Sequence, residues 1–382
     1  MPTVVAPACP VRRPAGPPVA RFRADQLLVD TDHLLDVVRR LWRAGVEITR
    51  AEEHDALGTT QLWLQSGERS LLEVLDRTMV ADGLWRAGVV RVNHVFRLAS
   101  HWSFVPFDRA GPSGPMALDD TDAGRDRHVG VIDTGIDRRH PWMDLEHVKA
   151  SPSAEVSGPP ATSFEGLEAW EGHGTFVVGL IRQLAPAATV HVAWPEPEAY
   201  PARPCSTCTR PRYERQLAAG AVLGHADDDD LDGGEIDDVA VAEQILGFGR
   251  MHLDVLNLSF GGLTLDPHEP PGVIRRHADG PDDLELGKAV RGVLREGTRV
   301  VASAGNYGTT DPVYPAAIPG VTAVGSGTDG RHRDDFSSYG RWVDVWRPGR
   351  NARSSFLMDL EWARWSGTSF AAPRFAAELV MG

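Results

Sequence analysis

Cysteine is scarce: the chain has 382 residues and three cysteines, Cys9, Cys205 and Cys208. An odd number gives no closed disulfide framework, so a packed core must hold the fold. No apolar run approaches the ~20 residues that a membrane-spanning helix requires. Positive charge is not in excess either. The formal net charge of -14, with histidine neutral, argues against nucleic acid or an anionic membrane surface as a partner. Met1 to Pro10 lacks the basic stretch and continuous apolar segment of a secretory signal. With the low cysteine count, this leads to an expected cytoplasmic location. Apolar residues make up 42% of the chain, enough at this length for more than one folding unit.

What is present is chemistry in three short segments: Val131-Ile132-Asp133-Thr134-Gly135, Gly172-His173-Gly174-Thr175 and Gly367-Thr368-Ser369-Phe370-Ala371-Ala372-Pro373. They supply a carboxylate, an imidazole and a hydroxyl, in that chain order. A serine hydroxyl is a poor nucleophile at neutral pH. It needs an imidazole to take its proton and a carboxylate to hold that imidazole in the useful tautomer. Each segment alone also has a plainer reading: a turn aspartate, one of fourteen histidines, or an N-cap serine. The nearest rival to His173 is His140, which reads as a turn residue because Pro141 restricts its backbone and no glycines frame it.

The flanks fit the chemistry. Val129 to Ile132 reads as a buried parallel strand with Asp133 at its carboxyl end. Phe176 to Ile181 reads as a buried helix after His173. Ser369 is expected to open a small-residue helix, whose unpaired N–H groups and partial positive charge suit a developing oxyanion. Pro373 is compatible with that first turn. A fourth segment, Val300 to Asn306, is an apolar strand ending in Gly305-Asn306. A side-chain amide placed there can donate to a tetrahedral oxygen.

In this order and with these flanks, the chain from about residue 127 onward resembles the subtilisin-like serine proteases (subtilases, peptidase S8). The resemblance implies a three-layer α/β/α domain with a mostly parallel sheet, and serine endopeptidase activity. It assigns Ser369 as nucleophile, His173 as base, Asp133 as the orienting acid, and Asn306 with the Ser369 N–H as oxyanion donors. Leu256 to Gly262 resembles the strand that pairs with an extended substrate. Substrate binding thus falls to Ser259, Phe260 and Gly261, together with Ala304 and Gly305. Tyr314–Ala317, Val321–Gly325 and Phe336–Gly340 resemble the family's segments between the asparagine and the serine, and read equally as core strands and turns. The implied partner is a protein or peptide substrate. No cofactor is required and no metal ligand is assigned, although the family's use of calcium leaves room for a loose oxygen site.

Upstream, residues 1–20 are rich in Pro, Ala and Arg and read as a disordered tail. Over 21–100 the pattern is strand, helix (Leu34–Trp42), strand (Val46–Ile48), strand (Gln61–Leu64), helix (from Leu71) and strand (Val89–Phe96). That βαββαβ order predicts a small α+β, ferredoxin-like domain. Its position resembles that of the family's propeptide, which implies a domain covering the active site; an unrelated adaptor domain is the alternative. Residues 101–126 read as an exposed linker in which a self-cut would fall, and 127–382 as the peptidase domain.

An insertion at about 195–235 carries Cys205-Ser206-Thr207-Cys208, half of a zinc site that His191 or His225 could complete, but no second pair exists and the two read as exposed loop thiols. It also carries Asp227 to Asp232. The spacing of Asp228, Asp230, Asp232 and Gly233 opens like a calcium loop, but its twelfth position is Val239, where a bidentate Glu is needed. The run reads as a solvated acidic loop. The sequence extends thirteen residues past Ser369, so either the N-terminal domain or a partner is expected to cover that surface, or the domain is less stable than is typical of the family. Two rival functions remain: a sedolisin-like enzyme, which Gly-His-Gly-Thr and Asn306 argue against, and a silent or self-processing scaffold that binds a partner protein.

Overall fold

A computed structural model describes residues 20–67, 69–97, 110–119, 121–156, 170–194, 235–276 and 284–381. Residues 1–19 of the expected tail, the Cys205/Cys208 pair and the Asp227–Asp232 run lie outside the described residues, and Ala20, placed in the tail by the sequence, is buried.

The chain begins with β1 (Phe22–Asp30), α1 (Leu34–Arg43), β2 (Glu47–His54), β3 (Thr59–Gln65), α2 (Leu71–Leu75) and β4 (Val90–Arg97). Helix α1 buries Val37 and Leu41, one turn apart on one face. A capping box starts α2: Ser70 Oγ accepts the Glu73 N–H while the Glu73 carboxylate accepts the Ser70 N–H. The antiparallel strand order β2-β3-β1-β4 is that of the expected ferredoxin-like arrangement. Sequence pattern did not foresee a fifth strand, which comes from the far side of the insertion.

After β5 (Gly111–Pro112) the chain runs through β6 (His128–Ile132), β7 (Val148–Ala150), α3 (His173–Leu184), β8 (Thr189–Ala193), β9 (Glu235–Asp237) and α4 (Asp238–Gly249). It continues with β10 (Val255–Leu258), α5 (Glu285–Arg295), β11 (Arg299–Ser303), β12 (Thr322–Ser326), β13 (Val345–Arg347), β14 (Ala352–Ser355), β15 (Trp362–Trp365) and α6 (Ala372–Glu378). The seven-stranded central sheet has the order β13-β12-β11-β10-β6-β8-β7, and every pairing in it is parallel. Parallel sheets need both faces covered, and the continuous apolar runs Val129–Ile132 and Val300–Ala302 are buried accordingly. Helices α3 and α6 pack together, and α4 and α5 pair separately, completing the three-layer α/β/α domain.

Strand β9 pairs with β4 in register Val95↔Asp237 and Phe96↔Ile236, so the N-terminal sheet continues into the larger domain. Part of the expected linker is also structured. Gly111–Pro112 pairs with Ala363 and Arg364 on the edge of a small antiparallel sheet, where a proline costs no ladder bond on its outer side. Arg353 secures the same stretch through Ser113 Oγ and the Gly114 carbonyl.

Candidate active site

Three adjacent strands deliver polar residues at one end of the sheet. The carboxyl ends of β6, β10 and β11 are level, with Ile132 beside Leu258 and Leu258 beside Ala302. Asp133, Ser259 and the Ala304–Asn306 turn follow directly, at the edge where open α/β sheets build their sites.

Asp133 is fully buried. Its Oδ1 accepts the Thr134 N–H at 2.8 Å and stands 2.7 Å from His173 Nδ1. The carboxylate acceptor assigns the proton to Nδ1, which leaves Nε2 of the neutral ring free to accept one. His173 is the first residue of α3. Its entry depends on two glycines. Gly172 caps the helix at φ 77°, a left-handed conformation that side-chain-bearing residues avoid. At Gly174, a β-carbon would fall 2.2 Å from the Gly135 carbonyl oxygen. That close approach lets Thr134 Oγ1 accept the Gly174 N–H at 3.0 Å, tying the acid's loop to the histidine's helix. The imidazole is 1% exposed, edge-on to Trp365 at 5.5 Å and tilted on Phe370 at 5.3 Å. Aromatic walls on two sides hold its plane and keep water from it.

Ser369 does not open an α-helix as expected. It lies in a 3-10 turn, Thr368–Phe370, and the seven-residue α6 starts at Ala372, where Pro373 fits the first turn. A short helix that begins beyond the serine weakens the expected dipole contribution, so directed donors matter more. One is close by. Asn306 Oδ1 accepts both the Thr368 N–H at 2.8 Å and the Thr368 hydroxyl at 2.9 Å. With Oδ1 engaged, the amide's N–H2 is turned to the Gly367 side of the serine turn, where Nδ2 would lie 3.3 Å from a β-carbon on Gly367. Thr368 Oγ1 also accepts the Gly305 N–H at 3.0 Å.

The Ser259 hydroxyl donates to the Ser369 carbonyl at 2.9 Å and accepts from Asn257 Nδ2 at 2.9 Å, which binds the Ser259–Gly261 strand to the serine turn. The structure thus brings Asp133 and His173 into direct contact. The Asn306 turn and Ser259 are bonded to the Ser369 turn, which meets the histidine through Phe370, 5.3 Å from the His173 ring. His140 stands elsewhere: its Nδ1 accepts the Trp142 N–H at 3.1 Å, and burial pulls its pKa down to about 4. Thr134 and Thr368 were quoted in the motifs without a role. Their hydroxyls act across segments 40 and 62 residues apart, and only their place beside the chemical residues hinted at it.

Sequence comparison decides the family. The sequence profile of the subtilase family (peptidase S8) matches residues 124–380. The chain belongs to the subtilase family. This subtilase is 29% identical over 273 residues to Subtilisin BL of Lederbergia lenta, covering 71% of this chain and 81% of that one. It is 27% identical over 264 residues to the major intracellular serine protease of Bacillus subtilis (strain 168), covering 68% of each. Its fold is similar to that of fervidolysin from Fervidobacterium pennivorans, a keratinolytic enzyme related to subtilisin. That likeness has a TM-score of 0.57 at 17% identity and covers 96% of this chain and 57% of that one. The subtilase is accordingly a serine endopeptidase, a hydrolase acting on proteins or peptides.

Two described groups border the site from the N-terminal side. The Phe96 ring lies 6.3 Å from that of Phe260, and a β-carbon on Gly262 would meet the Val95 carbonyl at 3.2 Å. Among the described residues, no group of three or more His, Cys, Asp or Glu side chains is arranged to hold a metal ion.

Proposed function

We propose that this subtilase cleaves peptide bonds through Asp133, His173 and Ser369, with Asn306 Nδ2 and the Ser369 N–H as oxyanion donors. Ser369 Oγ attacks the scissile carbonyl while His173 Nε2 takes its proton. Asp133 holds the Nδ1–H and stabilises the imidazolium that forms. The tetrahedral oxygen is met by the two donors, which need no reorganisation as its charge grows. Collapse expels the amine, protonated by His173, and leaves an acyl ester on Ser369. Water, activated by the same imidazole, then releases the acid. The observation that carries this reading is the 2.7 Å contact between buried Asp133 and His173, at the strand ends that also present Asn306 and Ser259. Ser259–Gly261 and Ala304–Gly305 would flank an extended substrate paired by strand addition.

The N-terminal domain, residues 21–100, covers the substrate side of the site in this reading. Supporting it, β4 adds to β9 and sets Val95 and Phe96 against Phe260 and Gly262, where a substrate strand would run. A domain that stays seated after any cut is favoured by one further observation. Leu263, Leu265 and Ile274 of the peptidase domain belong to the N-terminal domain's own apolar cluster.

The test compares wild-type protein with Ser369→Ala by intact mass and by hydrolysis of a mixed peptide library. Serine-dependent loss of about the first 100 residues, with new peptidase activity, supports a propeptide-like domain. Library cleavage without self-cleavage makes it an adaptor. Equal activity in the two proteins removes Ser369 from the mechanism.

A further inference from the structure

We propose that Val313 fills the base of the substrate pocket and restricts the residue before the cleaved bond to a small side chain such as Ala, Gly or Ser. This rests on the reading of Ser259–Gly261 and Ala304–Gly305 as the two walls of that pocket. Both walls carry a glycine, and two facing glycines would ordinarily leave a deep slot for a bulky side chain. Here one residue reaches both. A β-carbon on Gly261 would come 2.7 Å from Val313 Cγ1, and one on Gly305 would come 3.1 Å from both Cγ1 and Cγ2. The isopropyl group therefore spans the gap between the walls.

Val313 cannot readily move aside. It is fully buried, and a β-branched side chain has few χ1 alternatives. Its backbone is tied down: the carbonyl accepts the Ala317 N–H at 2.8 Å, and the next residue, Tyr314, exchanges two hydrogen bonds with Gly262 at 2.9 and 3.0 Å. An incoming phenylalanine or leucine would have to displace this packing, whereas an alanine methyl would not.

The experiment uses the full chain and measures kcat/KM on peptides that differ only in the residue before the cut. A single methylene in an apolar pocket changes such ratios roughly 10- to 200-fold. The wild type is expected to favour Ala over Phe by at least roughly 100-fold, and Val313→Gly to cut that ratio at least roughly tenfold by raising the rate on Phe. Val313→Ala, with less backbone freedom, should move the ratio the same way and serves if the glycine variant is unstable. Phe cleaved as fast as Ala by the wild type overturns the proposal, as does an unchanged ratio in both variants. Absence of any Ser369-dependent cleavage would instead overturn the active-site reading on which it rests.

Discussion

Arg91, on the last strand of the N-terminal domain, grips Glu285 at the start of α5, through Nε at 3.1 Å and Nη2 at 2.7 Å, across 194 residues of sequence. Both side chains are buried, and Thr59 Oγ1 donates to the same carboxylate oxygen at 3.0 Å. Removing Arg91 leaves the buried Glu285 carboxylate facing the partly exposed Lys288 Nζ, 3.2 Å away, without its buried partner. Arg91→Ala is therefore expected to lower stability, by less than the ~3–5 kcal/mol of a fully uncompensated buried charge because Lys288 remains, read from urea unfolding followed by tryptophan fluorescence. The Arg91→Met, Glu285→Met double variant should recover part of that loss. A single variant as stable as wild type would show that the pair is not formed.

Asp238 adds a pH dependence to the same interface. Its carboxylate accepts the N–H groups of Glu285 at 3.0 Å and Leu286 at 2.7 Å, the orphan donors at the start of α5. Burial first, and the neighbouring Glu285 carboxylate second, push its pKa from 3.8 up to about 8, against the pull of Arg91. The folded protein then holds a proton that the unfolded chain gives up. Stability from this group is complete below its ordinary value and is lost as pH rises through about 8. The urea midpoint should fall between pH 6 and pH 9, and Asp238→Asn should flatten that decline. A decline of equal steepness in the variant would assign it to another group.

Among the proposed catalytic residues a ranking is expected. In subtilisin itself, losing the serine or the histidine lowers kcat about 10⁶-fold, and losing the oxyanion asparagine about 10²–10³-fold. Those magnitudes are that enzyme's, carried here by family membership. Ser369→Ala and His173→Ala should be nearly silent, and Asn306→Ala should retain measurable turnover. An Asn306→Ala variant with wild-type kcat would remove the amide from the oxyanion site.

Thr368 offers a finer test of orientation. Its hydroxyl donates to Asn306 Oδ1 and accepts the Gly305 N–H, so it holds the amide in the orientation that presents Nδ2. Thr368→Val keeps the shape and removes both bonds. We expect kcat to drop roughly tenfold with KM little changed, the signature of an interaction made in the transition state. Thr368→Ser should restore it, which a purely structural role for the methyl would not.

Glycine frames, apolar runs and the residue order made Asp133, His173, Ser369 and Asn306 legible as candidates, because each signal is contained within about seven consecutive residues. The βαββαβ pattern was legible for the same reason: alternation and helical spacing are local properties. The start of α6 was misplaced. A small-residue run suits several turn geometries, and only packing chose a 3-10 turn at Ser369 with the helix starting at Ala372.

The sequence by itself determined the family and the chemical residue types, and carried the expectation of more than one folding unit. Tertiary structure alone decided that β4 pairs with β9, that Arg91 meets Glu285, that Thr134 and Thr368 orient their neighbours, and that Val313 stands between Gly261 and Gly305. Local propensity depends on a residue and its near neighbours. These contacts depend instead on which surfaces meet once the apolar runs are buried, and close packing then leaves each side chain a single place to go.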